Sequence, residues 1–279
     1  MNPKKISTLG PRGTFSQEAV LKYDANAEIV FQRTIYDCFE SVIDGEVDLS
    51  IVPFENSVAG GLGETYDCLL RFRSFIVDEI LVSISHHLVG NREMNLKDIR
   101  KIYTHPQSYA QCENYIRLNL AGPEIINTSS NAASAQQVKT DNSQAAAIVP
   151  GIAIPLYELT TLDTEIHDNK HNTTRFIVIA NDYAGYELPF DEHERYRTSI
   201  IARPADDKPG ILHSLTASLA AWDVNMSKIV SRPAKGKLGD YVFYIDFHGH
   251  RKHAKVKKAL ADIKQYFGLK VLGSYLRLY

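Results

Sequence analysis

Up to Ala180 the chain alternates short β-branched runs with amphipathic segments, and beyond Arg197 the same ingredients recur in a different order. Lys5–Leu9 predicts a strand, Gly10-Pro11-Arg12-Gly13 a turn, and Ser16–Tyr23 a helix. Val47–Val52 predicts another strand, running into Pro53-Phe54-Glu55-Asn56-Ser57, with a helix from Glu64. Strands at Ile99–Thr104 and Glu124–Thr128 each have a helical segment behind them. A βαβα order of this kind predicts α/β architecture with mostly parallel sheets and helices on their faces. Residues 181–197 turn polar and acidic, which marks a linker. After it come strand Thr198–Ala202, helix Gly210–Trp222, strands Asn225–Ser231 and Asp240–Phe247, helix Ala254–Phe267 and strand Lys270–Leu278. That βαββαβ order predicts a small ferredoxin-like sandwich.

Composition narrows the class of function. With 279 residues, 44% hydrophobic and 23% charged, this is an ordinary globular chain of one or two domains. A formal charge of −2 supplies no field for nucleic acid. The densest basic stretch, Lys255, Lys257, Lys258 and Lys264, is interleaved with Val256, Leu260 and Ile263 and predicts the solvated face of a helix. No run approaches the ~18 apolar residues of a membrane span. The N-terminal residues lack the apolar core of a signal peptide. Cys38, Cys68 and Cys112 are odd in number and widely spaced, as expected of buried thiols in a reducing compartment, with the cytoplasm as the default.

Polar residues gather where strands hand over to helices: Thr14 and Ser16, Asn56 and Ser57, Thr104, and Ser129, Ser130 and Asn131. Any one of these could be a simple N-cap. Four together outline an anion-binding cleft at the carboxyl ends of the strands, where helix N-termini present unpaired N–H groups. Glu55-Asn56-Ser57 and Thr104–Cys112 carry more polar groups than a cap requires, and a small acidic or hydroxylated ligand suits both. Gly60-Gly61-Leu62-Gly63 lacks the spacing of a nucleotide loop and predicts a backbone turn. His248, His250 and His253, and the pair His167 and His171, bring no carboxylate or thiolate at zinc spacing, so no metal is expected. In Asn172-Thr173-Thr174-Arg175-Phe176 a hydroxyl donor lies beside a guanidinium fork shaped for carboxylates.

These residues together resemble the prephenate dehydratase family, a catalytic domain followed by an ACT regulatory domain. The resemblance rests on Gly10–Ser16, Pro53–Ser57, His105-Pro106-Gln107 with Gln111-Cys112, and Asn172-x-Thr174-Arg175-Phe176. In the C-terminal part it rests on Pro209-Gly210, Asn225, Ser231-Arg232-Pro233 and Leu272-Gly273-Ser274-Tyr275. It implies a two-lobed catalytic domain of the type II periplasmic-binding-protein kind over residues 1–184, a linker over 185–197 and an ACT domain over 198–279. It also implies that the chain passes between lobes near Asp78 and again near Thr174.

The activity implied is conversion of prephenate to phenylpyruvate with loss of water and carbon dioxide, without cofactor or metal. Aromatisation drives that reaction, so the site need only hold a dianion and help the ring hydroxyl depart. By resemblance Thr174 gives or relays the proton, Arg175 sharpens the donation or clamps a carboxylate, and Glu55 is the rival donor. Asn56, Ser57, Thr104, Gln111, Ser130 and Asn131 match substrate-binding positions, and Phe176 packs against the ring. Pro209, Gly210, Ile211, Leu212, Asn225, Met226, Ser231, Arg232 and Pro233 match the binding site of the effector phenylalanine. The resemblance further implies a homodimer or homotetramer.

Four positions depart from the family pattern. Ala59 replaces a common Glu, Thr104 a Ser, Asn131 a Thr, and Val230 the Glu before Ser-Arg-Pro. The first three keep every group the chemistry requires, whereas Val230 removes an acid that could meet an effector ammonium. No chorismate mutase segment precedes the catalytic part, so a monofunctional enzyme is expected rather than a fused one. Arogenate dehydratase, and a non-catalytic keto-acid or amino-acid sensor on the same fold, are the competing readings.

Overall fold

Three sheets carry the architecture in the computed structural model, which describes residues 3–206, 208–234 and 239–279. The first contains β1 (Lys5–Leu9), β2 (Glu28–Gln32), β3 (Leu49–Asn56), the short β4 (Gly60–Gly61), β5 (Phe75–Ser83) and, much later in the chain, β11 (Thr173–Ala180). Its order is β2-β1-β3-β11-β5, with β4 folded back on β3. The second holds β6 (His86–Gly90), β7 (Lys101–Thr104), β8 (Glu124–Asn127), β9 (Ala145–Pro150) and β10 (Thr160–Asp163), in the order β10-β6-β9-β7-β8. The third is antiparallel, β13-β14-β12-β15, from β12 (Tyr196–Pro204), β13 (Met226–Pro233), β14 (Tyr241–His248) and β15 (Phe267–Leu276). The helices are α1 (Phe15–Tyr23), α2 (Ile35–Ile43), α3 (Gly63–Arg71), α4 (Pro106–Ala110), α5 (Glu113–Asn119), α6 (Asn131–Thr140), α7 (Ala153–Leu156), α8 (Ile211–Ala220) and α9 (Ala254–Ile263). The chain leaves the first sheet after Ser83 and rejoins it at Thr173, so the first crossing falls at the end of β5 rather than at Asp78 within it.

Two compact units interleave along the sequence. One comprises the residues up to Cys38, Ile51–Leu62 and Ile80–Phe176; the other comprises Phe39–Ser50, Gly63–Glu79 and Ile177–Tyr279.

In the first unit β9 shows why the second sheet forms. All six of its residues are buried, and a strand has period two, so its side chains feed two separate cores. Ala145, Ala147 and Val149 pack with Ala135 and Val138 of α6. Ala146 and Ile148 pack with Ile102, Cys112, Ile116 and Leu120 on the other face. The parallel pairs expected from the alternation are present between β7 and β8 and between β7 and β9. At the other edge β6 and β10 run antiparallel.

In the second unit β12 sorts its residues the same way. Ile200 and Ala202 join the core with Leu215 and Leu219 of α8 and Val256, Ala259, Leu260 and Ile263 of α9. The lysines of α9 face solvent, as the interleaving predicted. That helix ends at Ile263 rather than Phe267, because Phe267 is drawn into the core as the first residue of β15. The opposite face of this sheet grips α3. The Tyr244 hydroxyl donates to the Tyr66 carbonyl at 2.6 Å, Arg232 pairs with Asp67 at 3.1 Å, and Lys270 Nζ donates to the carbonyls of Leu69 and Phe72 at 2.7 and 2.6 Å. Gly273 lies against β5 instead. A Cβ there would fall 1.9 Å from the Ile76 carbonyl oxygen, so only glycine lets β15 come this close.

All three cysteines are buried. No helix among the described residues is long and apolar enough to cross a membrane.

Arg197 and Glu79 form an ion pair in which neither residue is more than 2% exposed. Glu79 also accepts the Leu278 N–H at 3.0 Å, and the Tyr279 ring lies 4.3 Å from the guanidinium. Removing one member of a buried pair leaves the other charged and desolvated, which costs about 3–5 kcal/mol. Arg197→Met should lower the urea unfolding free energy by that amount; a loss under about 1 kcal/mol, the scale of an exposed pair, would refute it.

Candidate active site

Residues from β3, β11, β6, α4 and the N-terminal ends of α1 and α6 converge on a cavity of about 350 Å³ within the first unit. Strand alternation decides what β11 contributes. Thr174 and Phe176 point into the cavity, whereas Arg175 between them points to the other face. There its Nη1 lies 3.3 Å from Glu55 Oε1 and its guanidinium carbon 4.8 Å from the centre of the Phe54 ring. The expected cation and the rival proton donor therefore engage each other, and neither lines the cavity.

Asn56, at the end of β3, is held at both ends of its amide. Its Oδ1 accepts the N–H groups of Val58 and Ala59, each at 2.9 Å. With the oxygen so committed, Nδ2 must face the other way. It donates to Asn172 Oδ1 at 2.7 Å and to Thr174 Oγ1 at 2.9 Å. A hydroxyl whose oxygen accepts from an amide keeps its own proton for another acceptor. The Thr174 proton is thereby left to the cavity. Thr173 stays on the exposed side, where its N–H donates to Ser57 Oγ at 3.0 Å and its carbonyl accepts from the Ser57 N–H at 2.9 Å. Ser57 thus ties β3 to β11 outside the cavity lining.

The other expected residues divide in the same manner. Thr104 is fully buried, donates to the His105 carbonyl at 3.2 Å and stands behind the lining. Ser130 caps α6, accepting the Ala133 N–H at 3.0 Å, and reaches the cavity edge. Asn131 accepts the Ser108 hydroxyl at 2.7 Å through Oδ1, which turns Nδ2 elsewhere. Gln111 lines the cavity and meets His86, a residue that no motif singled out. A histidine opening an apolar strand reads as core, and only the fold brings it beside Gln111. Gly60 and Gly61 form the short ladder with β3 and edge the cavity. Pro53, Phe15, Leu62, Ile84 and Phe176 supply an apolar wall.

No Lys, Arg, Asp or Glu occurs among the described lining residues. The donors are amides, hydroxyls, imidazoles and the N-terminal end of α6. Burial pushes the His86 imidazole down to about 4 and lowers His105 as well, so both are neutral near pH 7. His167 lies next to this site and accepts the His86 backbone N–H through Nδ1 at 3.4 Å. In the second unit His250 and His253 pack with Phe190 and Tyr196, and His248 meets Arg277. No group of three metal-ligating side chains occurs among the described residues.

The residues expected to bind an effector are dispersed. Ile211 and Ser231 share a hollow of about 340 Å³ with Arg203, Asp240 and Tyr241. Gly210 precedes α8 with φ 84°, Pro209 lies before it, and Leu212 is exposed. Asn225 meets His248 at 3.1 Å, and Met226 packs against the sandwich core. Arg232 is committed to Asp67, and Pro233 ends β13.

Two mixed sheets joined by two chain crossings, followed by a ferredoxin-like sandwich, define a two-lobed binding-protein-type fold with a small C-terminal module. The cavity in the first part is lined by neutral donors. A family model for prephenate dehydratase matches residues 6–184, and the chain belongs to that family. It is 38% identical to the bifunctional chorismate mutase/prephenate dehydratase of Pseudomonas aeruginosa, over 98% of this chain and 73% of that protein. It is 34% identical to the prephenate dehydratase of Methanocaldococcus jannaschii, covering 99% of this chain and 98% of the relative. The crystal structure of the Arthrobacter aurescens prephenate dehydratase in complex with L-Phe superposes with a TM-score of 0.90 at 33% identity, over 98% of this chain and 90% of that one.

A histidine whose folded value lies below its unfolded one leaves the unfolded chain with more bound protons between the two. Stability contributed by neutral His86 is therefore full above about 6.5 and is lost as the pH falls towards 4. Its share should reach about 3 kcal/mol at most. Urea unfolding of His86→Gln across this range should show a correspondingly flatter pH dependence, and parallel curves would remove His86 as a source.

Proposed function

We propose that this chain catalyses the decarboxylating dehydration of prephenate to phenylpyruvate, with Thr174 delivering the proton. The observation that carries this reading is the hydrogen bond from Asn56 Nδ2 to Thr174 Oγ1. In the reaction the bond from the ring to its carboxylate breaks and releases carbon dioxide. The electron pair enters the ring and the hydroxyl on the opposite carbon departs. That oxygen takes the Thr174 proton and leaves as water. Asn56 steadies the charge building on Oγ1 until solvent returns a proton, so the sum is one proton consumed, with carbon dioxide and water released. The apolar wall suits the ring. Gln111, Asn131 and the N-terminal end of α6 suit the carboxylates, because their N–H groups favour an anion without a formal cation. Arg175 and Glu55 act on this reading from behind, fixing the strand ends that carry Thr174 and Asn56.

The neutral lining also favours prephenate over arogenate. An amine in place of the keto group carries an ammonium that would meet no carboxylate in the cavity, and an unpaired charge is costly to desolvate. Thr174→Ala should lower kcat by about 10²–10⁴-fold, the range a positioned proton donor supplies, while Thr174→Ser retains part of the activity. Wild-type kcat/KM should be greater for prephenate than for arogenate. Near-normal turnover by Thr174→Ala, or prephenate binding without phenylpyruvate release, would overturn the assignment.

The C-terminal sandwich is an ACT domain on this reading, and phenylalanine is its effector. Support comes from the relative solved with L-Phe and from the hollow shared by Ile211 and Ser231. With Val230 in place of an acid and Arg232 committed to Asp67, the ligand's ammonium would rely on neighbours such as Asp240. Titrating phenylalanine against prephenate turnover should give inhibition that Asp240→Asn weakens. A flat titration would assign the domain to another role.

A further inference from the structure

We propose that His86 is a positioning residue that locks the Gln111 side-chain amide with its amino group turned into the cavity. The two side chains meet at 2.8 Å, imidazole Nε2 to amide Oε1. His86 is 1% exposed, and the Phe15 ring packs against it nearly perpendicular, with centroids 5.5 Å apart. Its Nδ1 is buried with no hydrogen-bond partner among the described residues. That orphan atom fixes the tautomer. A neutral imidazole carries one proton, and a buried N–H without an acceptor is rarer in folded proteins than an acceptor left unfilled. The proton therefore sits on Nε2 and is donated to Gln111. The direction of that donation settles the amide. Oε1 is held by His86, and the two N–H groups are left for the cavity. Gln111 cannot swing away as a whole, because its carbonyl accepts the Asp168 N–H at 2.8 Å and its own N–H donates to the Gln107 carbonyl at 3.2 Å.

The opposite tautomer would reverse the site. With the proton on Nδ1, Nε2 would take an amide N–H and Gln111 would present Oε1 to the cavity, an acceptor facing an anion. The imidazole thus acts at one remove, setting the sign of the dipole that the substrate meets. Burial that holds the ring neutral supports this role, since an imidazolium would place a desolvated cation behind the amide. The inference rests on the reading of the cavity as the prephenate site, where Gln111 would donate to a carboxylate.

Nitrogen-resolved NMR of the imidazoles in the full chain tests the tautomer without any assay. At pH 7 the His86 ring should be neutral with its proton on Nε2, and a proton on Nδ1 or an imidazolium overturns the proposal. Steady-state kinetics test its consequence. Gln111→Ala should raise KM for prephenate by about ten- to a hundred-fold, the scale of one hydrogen bond to a charged group, with a smaller change in kcat. His86→Ala should do the same, and the double variant should lose no more than Gln111→Ala alone. Additive losses would mean that His86 acts elsewhere. His86→Gln, whose amide N–H reaches the position of Nε2, should restore KM to within about threefold of wild type, as expected when one neutral donor replaces another; failure to do so counts against the proposal. If the wild type turned over no prephenate, the functional reading would fail while the NMR result still judged the tautomer.

Discussion

Hydrogen bonds hold both ends of the Asn56 side-chain amide, and most of the site follows from them. Two backbone N–H groups just beyond β3 hold its oxygen, and its nitrogen reaches Asn172 and Thr174 at the start of β11. A side-chain amide has one oxygen and one nitrogen, so committing the oxygen to the local turn forces the nitrogen across to the other strand. This joins two segments more than a hundred residues apart. It also decides which way a hydroxyl proton can point. Aspartate at this position could not donate across to Thr174 while ionised, and leucine would leave the two N–H groups behind it unsatisfied.

Formal charge is kept out of the cavity and placed behind it. Arg175 and Glu55 neutralise each other one residue from the groups they flank. A guanidinium inside the cavity would bind substrate and product anions alike, and uniform binding lowers KM without accelerating the chemistry. Fixed neutral dipoles hold an anion less tightly, and they need no reorganisation when charge shifts from a carboxylate to a departing oxygen.

The architecture was legible wherever hydrophobic period and chain punctuation agreed. The α9 lysines, the βαββαβ order and the polar strand-to-helix junctions could all be read from residue order, since each is a local property. Thr174, Asn56, Gln111, Ser130, Asn131 and Phe176 were found as a set in the sequence and meet at one cavity. Which side of a strand a residue faces was harder to read. Arg175 lies beside Thr174 in sequence and on the opposite face in space, a consequence of period two that a motif conceals. His86 was invisible because its polarity matters only next to Gln111, a long-range contact. The antiparallel β6 and β10, and the end of α9 short of Phe267, depend on tertiary burial that propensity alone does not encode.

The grip on α3 has a consequence for how the protein opens. The last carbonyls of a helix are normally satisfied by water or by a local cap, but here those of Leu69 and Phe72 accept from Lys270, about two hundred residues away in the chain. Fraying of α3 would strand a desolvated ammonium, and unpairing of β15 would strand two carbonyls. Neither element can loosen alone, so the slow-exchanging amides of this N-terminal helix belong to the same cooperative unit as the C-terminal strand.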